Sequence, residues 1–258
     1  LVSNPFTYLV ARDTMVSANR LIEQYARLNN SYVEMKRLDD LHYLGRKPAS
    51  IFIDDDDRSC NRTGVTHALK TAELSIDLVK LRKILVAELS AAKSIRVLTG
   101  RYIESVSRDS KGFTISARHN ESTWNGCFDV VVNCLWDGRL KIDAQIGMVP
   151  RNRWVYRLKL PCARHSSIRV ASSTLSYNCI GSYGDIVTYP DFAPAYLSWY
   201  PACMKGWSQE IAPPGEWENP CNGIIDDEAL CERVPIETVK SLEGIIPGIG
   251  RSQIHKVD

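Results

Sequence analysis

The sequence predicts an α+β fold in which a helix-covered, partly parallel sheet is interleaved with an antiparallel one. Three observations carry this. Residues 128–137 read Phe-Asp-Val-Val-Val-Asn-Cys-Leu-Trp-Asp, an apolar run that breaks into a polar loop before Gly138. A continuous β-branched run suits a strand buried on both faces, as in a parallel sheet. Residues 71–89 place Leu74, Leu78, Leu81, Leu85 and Leu89 on one helical stripe with charges opposite. Residues 153–160 alternate Trp154, Tyr156, Leu158 and Leu160 with Arg153, Arg157 and Lys159, which is the period of a strand with one apolar and one basic face.

The elements follow in order. Val16, Ala18, Leu21, Ile22, Tyr25 and Leu28 recur at helical spacing over 14–28, with Thr14 or Ser17 as cap, and Met35, Leu38, Leu41 and Leu44 continue the pattern over 32–44. The short apolar run 51–53 precedes Asp54, Asp55, Asp56, Asp57 and Arg58. That charge run reads as a solvated loop. A divalent-cation site would need further oxygen ligands, and no second acidic cluster is spaced to supply them, so no metal is expected. Residues 95–98 form a short apolar strand closed by Gly100. Residues 102–112 and 113–118 alternate as a hairpin, and 124–127 lead into the valine run. The expectation is that 95–98 and 130–132 are central strands of one sheet, with the 74–89 helix packed on them.

Downstream, 167–171 reads as a second short strand, and 184–189 and 195–200 flank a five-residue loop, Pro190-Asp-Phe-Ala-Pro194, as a hairpin. Residues 212–220 are a Pro-rich surface loop. Ala229, Leu230, Val234, Ile236, Val239 and Leu242 suit one or two helices over 226–244, stopped by the Pro-Gly turn at 247–248.

Composition bounds the function. At 258 residues, with 44% hydrophobic and 24% charged side chains, the chain can bury a core in one large domain or two interleaved ones. A net charge of +2 gives no reason to expect nucleic acid or an anionic membrane as partner. No apolar run approaches the roughly 20 residues a membrane span needs. The eight cysteines contain no Cys-x-x-Cys pair, which disfavours a structural zinc. Their even count allows disulfides, but packed, reduced thiols in a cytoplasmic protein are the reading adopted.

Taken together, Ile76-Asp77 in the helix, 95–106 with Gly100, 129–139, 181–187 and 196–201 resemble the FAD-dependent oxidoreductases of the D-amino-acid-oxidase-like superfamily. The resemblance covers roughly residues 65–215 and rests on the order and spacing of these segments. It implies an FAD cofactor and hydride transfer from a C–N or C–O bond of a small substrate to the flavin. It also implies a Rossmann-like FAD/NAD(P)-binding sheet, incomplete here, at 66–148. A substrate or cap domain would lie at 1–65 and 149–220, and a helical segment returning toward the FAD domain at 221–258. The backbone of Ile103 is then expected to face the adenosine of FAD, with Asn133, Cys134 and Trp136 lining the same crevice. The antiparallel sheet would cover the flavin, which makes Arg157, Tyr183, Trp199 and Tyr200 substrate-pocket candidates. Read without the resemblance, these four are core aromatics and a solvated charge.

The chain departs from the family at one point. Such proteins hold the pyrophosphate on a Gly-x-Gly-x-x-Gly turn, and none of the fifteen glycines here forms that pattern. The expectation is an internal fragment lacking that segment, weak at holding FAD alone, and prone to self-association through an open sheet edge at 95–98 and 130–132. No catalytic acid or base and no flavin-attachment motif is identified. Two readings from other classes stay open: an inactive remnant acting as a binding module, and an unrelated α/β nucleotide-dependent enzyme.

Overall fold

The computed structural model describes residues 2–38, 48–55, 60–61, 63–160, 162–165, 176–181, 184–189, 192–221 and 224–249. It divides into two compact units, the first formed by Leu1–Lys83, Lys159–Met204 and Ile225–Asp258, the second by Ile84–Leu158 and Lys205–Ile224. In chain order the elements begin with β1 (Phe6–Ala11), α1 (Ala18–Leu38), β2 (Phe52–Asp55), β3 (Val65–Thr71) and α2 (Leu78–Ala91). Next come β4 (Tyr102–Asp109), β5 (Gly112–His119), β6 (Ser122–Phe128), α3 (Arg139–Gln145), β7 (Tyr156–Lys159) and β8 (Cys162–His165). The rest are β9 (Ser176–Ile180), β10 (Gly184–Tyr189), β11 (Phe192–Trp199), α4 (Tyr200–Cys203), β12 (Met204–Ser208), α5 (Glu218–Cys221) and α6 (Glu228–Ile245). Among the described residues no helix is long and apolar enough to cross a membrane.

The first unit is a mixed seven-stranded sheet in the order β2-β3-β1-β9-β10-β11-β8. Near its centre, β1 is antiparallel to β3 and parallel to β9. Because strand side chains alternate between faces, registered neighbours build two distinct surfaces. Leu9, Cys179 and Gly184 share one row, and Thr7, Tyr177, Ile186 and Leu197 the next. This face forms the core with Val234, Leu242 and Ile245 of α6 and with Ile246 and Ile249 beyond it. Asp227 starts α6 by accepting a 2.9 Å hydrogen bond from Leu230 N, satisfying one orphan amide of the first turn. Gly184 is required by packing: a Cβ there would sit 2.6 Å from the Trp199 ring and 2.9 Å from Ser198 O.

The second unit holds the antiparallel meander β4-β5-β6 and small helices; the ribbon β7–β12 is a separate two-stranded sheet. Its core is small, with Val106, Ala117, Leu140 and Ile142 buried. β4 is interrupted between Ile103 and Ser105, where its register against β5 shifts. The Gln145 side chain of α3 fills this irregularity: Val106 N donates to Gln145 Oε1 at 2.9 Å, and Gln145 Nε2 donates to Glu104 O at 3.0 Å.

Several expectations need correction. Residues 95–98 and 130–132 form no strand among the described residues; the strand before the valines is β6, ending at Phe128. Val130 and Val132 are 75% and 78% exposed, and Ile95 and Val97 about half exposed. An apolar run becomes a strand only when a neighbour takes its backbone groups, and none does so here. The Rossmann-like part of the fold reading is therefore not seen as a hydrogen-bonded sheet, while the α+β class holds. The helix predicted from residue 71 starts at Leu78, because Thr71 still pairs in β3, and none of its residues is buried. The first unit includes β3 and α6, so the observed boundaries differ from a division at 65/66 and 220/221.

The β10–β11 hairpin is tighter than predicted, with Tyr189 paired to Phe192. The N-terminal pattern yields one helix, α1, and 226–244 also yields one, α6, with Pro235 inside it. Asp54 and Asp55 belong to β2, while Asp56, Asp57, Arg58 and the strand predicted at 167–171 lie outside the described residues. Cys60, Cys179 and Cys203 are buried, but Cys127 and Cys134 are exposed rather than packed.

Leu242 is fully buried and Leu85 half exposed. Leu242→Ala is expected to cost about 2–5 kcal/mol of stability in urea titrations, and Leu85→Ala less than about 0.5 kcal/mol. Equal losses would place α2 in a packed core and contradict the description above.

Candidate functional site

In the second unit, two segments without ladder partners end at one place. Residues 95–99 run into Gly100, Arg101, Tyr102 and Ile103; residues 129–134 run into Leu135, Asp137 and Gly138. Both ends line a single cavity of about 620 Å³, closed further by Lys141 and Ile142 of α3 and by Pro213, Pro214 and Trp217. Gly100, at φ +68°, turns the first segment into β4, a left-handed conformation that disfavours a Cβ. His119 Nδ1 lies 2.8 Å from Gly100 O and ties this turn to the end of β5. The second segment is tied to α3 by Asn133, whose Nδ2 donates to Arg139 O at 3.1 Å and to Asp143 Oδ1 at 2.8 Å.

The cavity's electrostatics come from Arg101 and Lys141 against Asp137 and Glu218. Arg101 stacks its guanidinium over Trp124, 5.4 Å from the ring centroid, and donates through Nη1 to Thr99 O. Its Nε is buried with no hydrogen-bond partner among the described residues. A buried donor without an acceptor is costly, and the guanidinium it belongs to gives the cavity lining a positive charge. Asp137 and Glu218 are acceptors suited to hydroxyl groups. The lining thus offers cations and hydrogen-bond acceptors to a polar ligand.

The first unit carries a second, polar surface on the sheet face opposite α6. Tyr8, Asn178, Asp185 and Ser198 are registered neighbours across β1, β9, β10 and β11. At the β1 end, α1 covers this face: Tyr25 packs on Tyr8 and stacks on Phe52 at 5.4 Å. Tyr8 donates to Glu73 Oε2 at 2.5 Å, and burial with the Glu73 carboxylate pushes its phenol well up. At the other end, Lys159 Nζ lies 3.7 Å from Asp185 Oδ2, 3.7 Å from the Tyr200 ring centroid and 5.8 Å from that of Tyr196. Burial raises the Asp185 carboxyl, and the Lys159 ammonium and Ser198 hydroxyl pull it part of the way back. An ammonium held by one carboxylate and two aromatic rings can bind an anionic group.

The predicted site residues are dispersed. Ile103 lines the cavity. Asn133 is committed to α3, so it orients the segment rather than facing a ligand. Cys134 is exposed, and Trp136 is 91% exposed with a left-handed φ of 50°, so neither is among the cavity-lining residues. Arg157 is exposed. Trp199 packs on the α6 core instead of the polar face, a consequence of strand alternation. Tyr200 is the one substrate-pocket candidate placed in the Lys159 cluster. Tyr183 lies outside the described residues. Sequence reading missed Arg101, Lys141, Lys159 and Asp185. The alternation of 153–160 drew Lys159 as a face charge but held no sign of its buried partners.

No family model and no curated protein matches the chain. Among solved structures, it resembles L-proline dehydrogenase from P. horikoshii, with a TM-score of 0.52 and 9% identity, over 95% of this chain. The chain spans 59% of that protein's length. At this identity the likeness shows the fold.

The raised Asp185 pKa fixes a pH signature. A carboxyl raised in the folded state contributes stability that is fully present below its unfolded value, about pH 3.9, and lost as pH rises through the folded value. Asp185→Asn should therefore gain stability relative to the unaltered chain as urea titrations move from about pH 4 to pH 7. A difference running the other way would mean that Lys159 outweighs burial.

Proposed function

We propose that the chain is a flavin-dependent oxidoreductase fold acting on a small substrate. The observation that carries this is the cavity lined by Arg101, Lys141, Asp137 and Glu218, where two apolar segments end. The fold likeness to a proline dehydrogenase supports the same reading. In it, Arg101 and Lys141 hold phosphate oxygens of FAD, Asp137 and Glu218 accept ribose hydroxyls, and the Ile103 backbone borders the adenosine. The chain holds no Gly-x-Gly-x-x-Gly turn to add backbone N–H groups to the pyrophosphate, so these side chains carry its binding here.

The polar face of the first unit is a separate candidate anion site. There Lys159 would hold an anionic group, with Tyr200 and Tyr196 beside its ammonium and Asp185 keeping it in place. When bound, the flavin supplies the hydride acceptor for a C–N or C–O bond. The protein's part is to orient the substrate and exclude water.

FAD and ADP titrations followed by calorimetry test the cofactor assignment. The unaltered chain should bind both weakly, with Kd above about 1 μM, and Arg101→Ala should weaken both about tenfold or more, the loss of one charge-assisted contact. Binding unchanged by Arg101→Ala, or none up to about 1 mM, a −4 kcal/mol limit, would overturn it.

A further inference from the structure

In the first unit, the Lys159 cluster sets a cation and an anion side by side on one sheet face. Lys159 ends β7, and Leu160 N beside it donates to Cys203 O at 2.9 Å, which ties this backbone to the end of α4. Tyr200 opens α4, so its ring is brought to the ammonium as well. At 3.7 Å from Asp185 Oδ2, Lys159 Nζ is paired by charge but lies beyond the roughly 2.7–2.9 Å of a charge-assisted hydrogen bond. Among the described residues its N–H groups are therefore open to a second anion. The Lys159 and Asp185 side chains are 23% and 19% exposed, enough to be reached from solvent and too little for water to screen their charges fully.

An anion that reaches Lys159 also meets the Asp185 carboxylate. Like charges a few Å apart in a partly buried site weaken binding by about tenfold or more. Protonating Asp185 removes that repulsion and leaves the ammonium uncompensated. Resting on the reading of Lys159 as an anion site, we propose that this site takes up a small organic monoanion together with one proton, which the Asp185 carboxylate accepts. The proton comes from solvent and adds to a carboxylate oxygen, and no covalent bond to the ligand forms. The Tyr196 and Tyr200 rings suit an apolar body on that ligand. The other groups around Asp185 do not take the proton. Burial pushes the phenols of Tyr8 on β1 and Tyr196 on β11 up, and the Cys179 thiol of β9 up to about 12. Asn178 and Ser198, its registered neighbours, carry no charge, and Glu73 accepts from Tyr8. Burial also raises Asp185 itself, which moves its proton uptake toward neutral pH. The coupling is reciprocal: the bound anion raises the Asp185 carboxyl further, and anion affinity falls as pH rises through the value of the free site.

Calorimetric titration of the full chain with benzenesulfonate, whose own charge is constant over this range, tests the coupling. The dissociation constant should rise about tenfold or more from about pH 5 to about pH 8. Titrations in two buffers of different ionisation enthalpy should show net proton uptake on binding between these limits. Asp185→Asn should hold the tight acid-side value at both pH values; if that variant fails to fold, the proton count on the unaltered chain decides alone. Lys159→Met should abolish binding at both. Binding that needs Lys159 but is equal at both pH values, takes up no proton, or keeps its pH dependence in Asp185→Asn would overturn the coupling and leave the anion site standing. No Lys159-dependent binding up to about 10 mM at either pH, a limit near −3 kcal/mol, would remove the anion site itself and the coupling with it.

Discussion

The Gln145 amide is the constraint on which the second unit depends. It accepts from Val106 N and donates to Glu104 O across the irregularity in β4. Arg101 precedes β4, which opens with Tyr102 and Ile103, and α3 follows Leu135 and Asp137. One side chain therefore fixes both walls of the cavity relative to each other. A register break normally leaves backbone groups unpaired. Here the break is satisfied by a side chain from the element that builds the opposite wall, so forming the cavity and completing the strand are one event. The unit's core is small, so these two bonds add to the β4-β5 and β5-β6 ladders that hold its shape.

The first unit rests on apolar packing instead. Its sheet buries one face against α6 and leaves the other polar, and strand alternation alone decides which residues meet which side. Leu197 and Ser198 show the consequence: adjacent in sequence, one joins the core under α6 and the other the polar row beside Asp185. The Asp185 carboxyl, pushed up by burial, is tolerated because Lys159 and Ser198 face it. A buried charge kept with an imperfect partner is weak evidence for stability and better evidence for a site.

The sequence made the local elements legible and the non-local ones illegible. The β4–β5 hairpin follows from alternation on either side of Gly112, and α6 from the spacing of Val234, Val239 and Leu242. Residues 95–98 and 130–132 look like strands because composition records a preference for burial on both faces. Whether they pair depends on a neighbour that composition does not contain. Arg101 and Lys159 were equally hidden, since an orphaned donor or a desolvated ammonium is a property of the surroundings brought by distant elements. Ile103 lines the cavity, while the Asn133 amide is bonded to Arg139 O and Asp143.

Hydrogen–deuterium exchange of the full chain with and without saturating FAD tests the cavity assignment most directly. Protection should concentrate in residues 101–103, 135–141 and 213–218, the three stretches that line the cavity, with Gln145-bonded Val106 slow in both states. Protection absent from all three stretches, or confined to the sheet of the first unit, would contradict it.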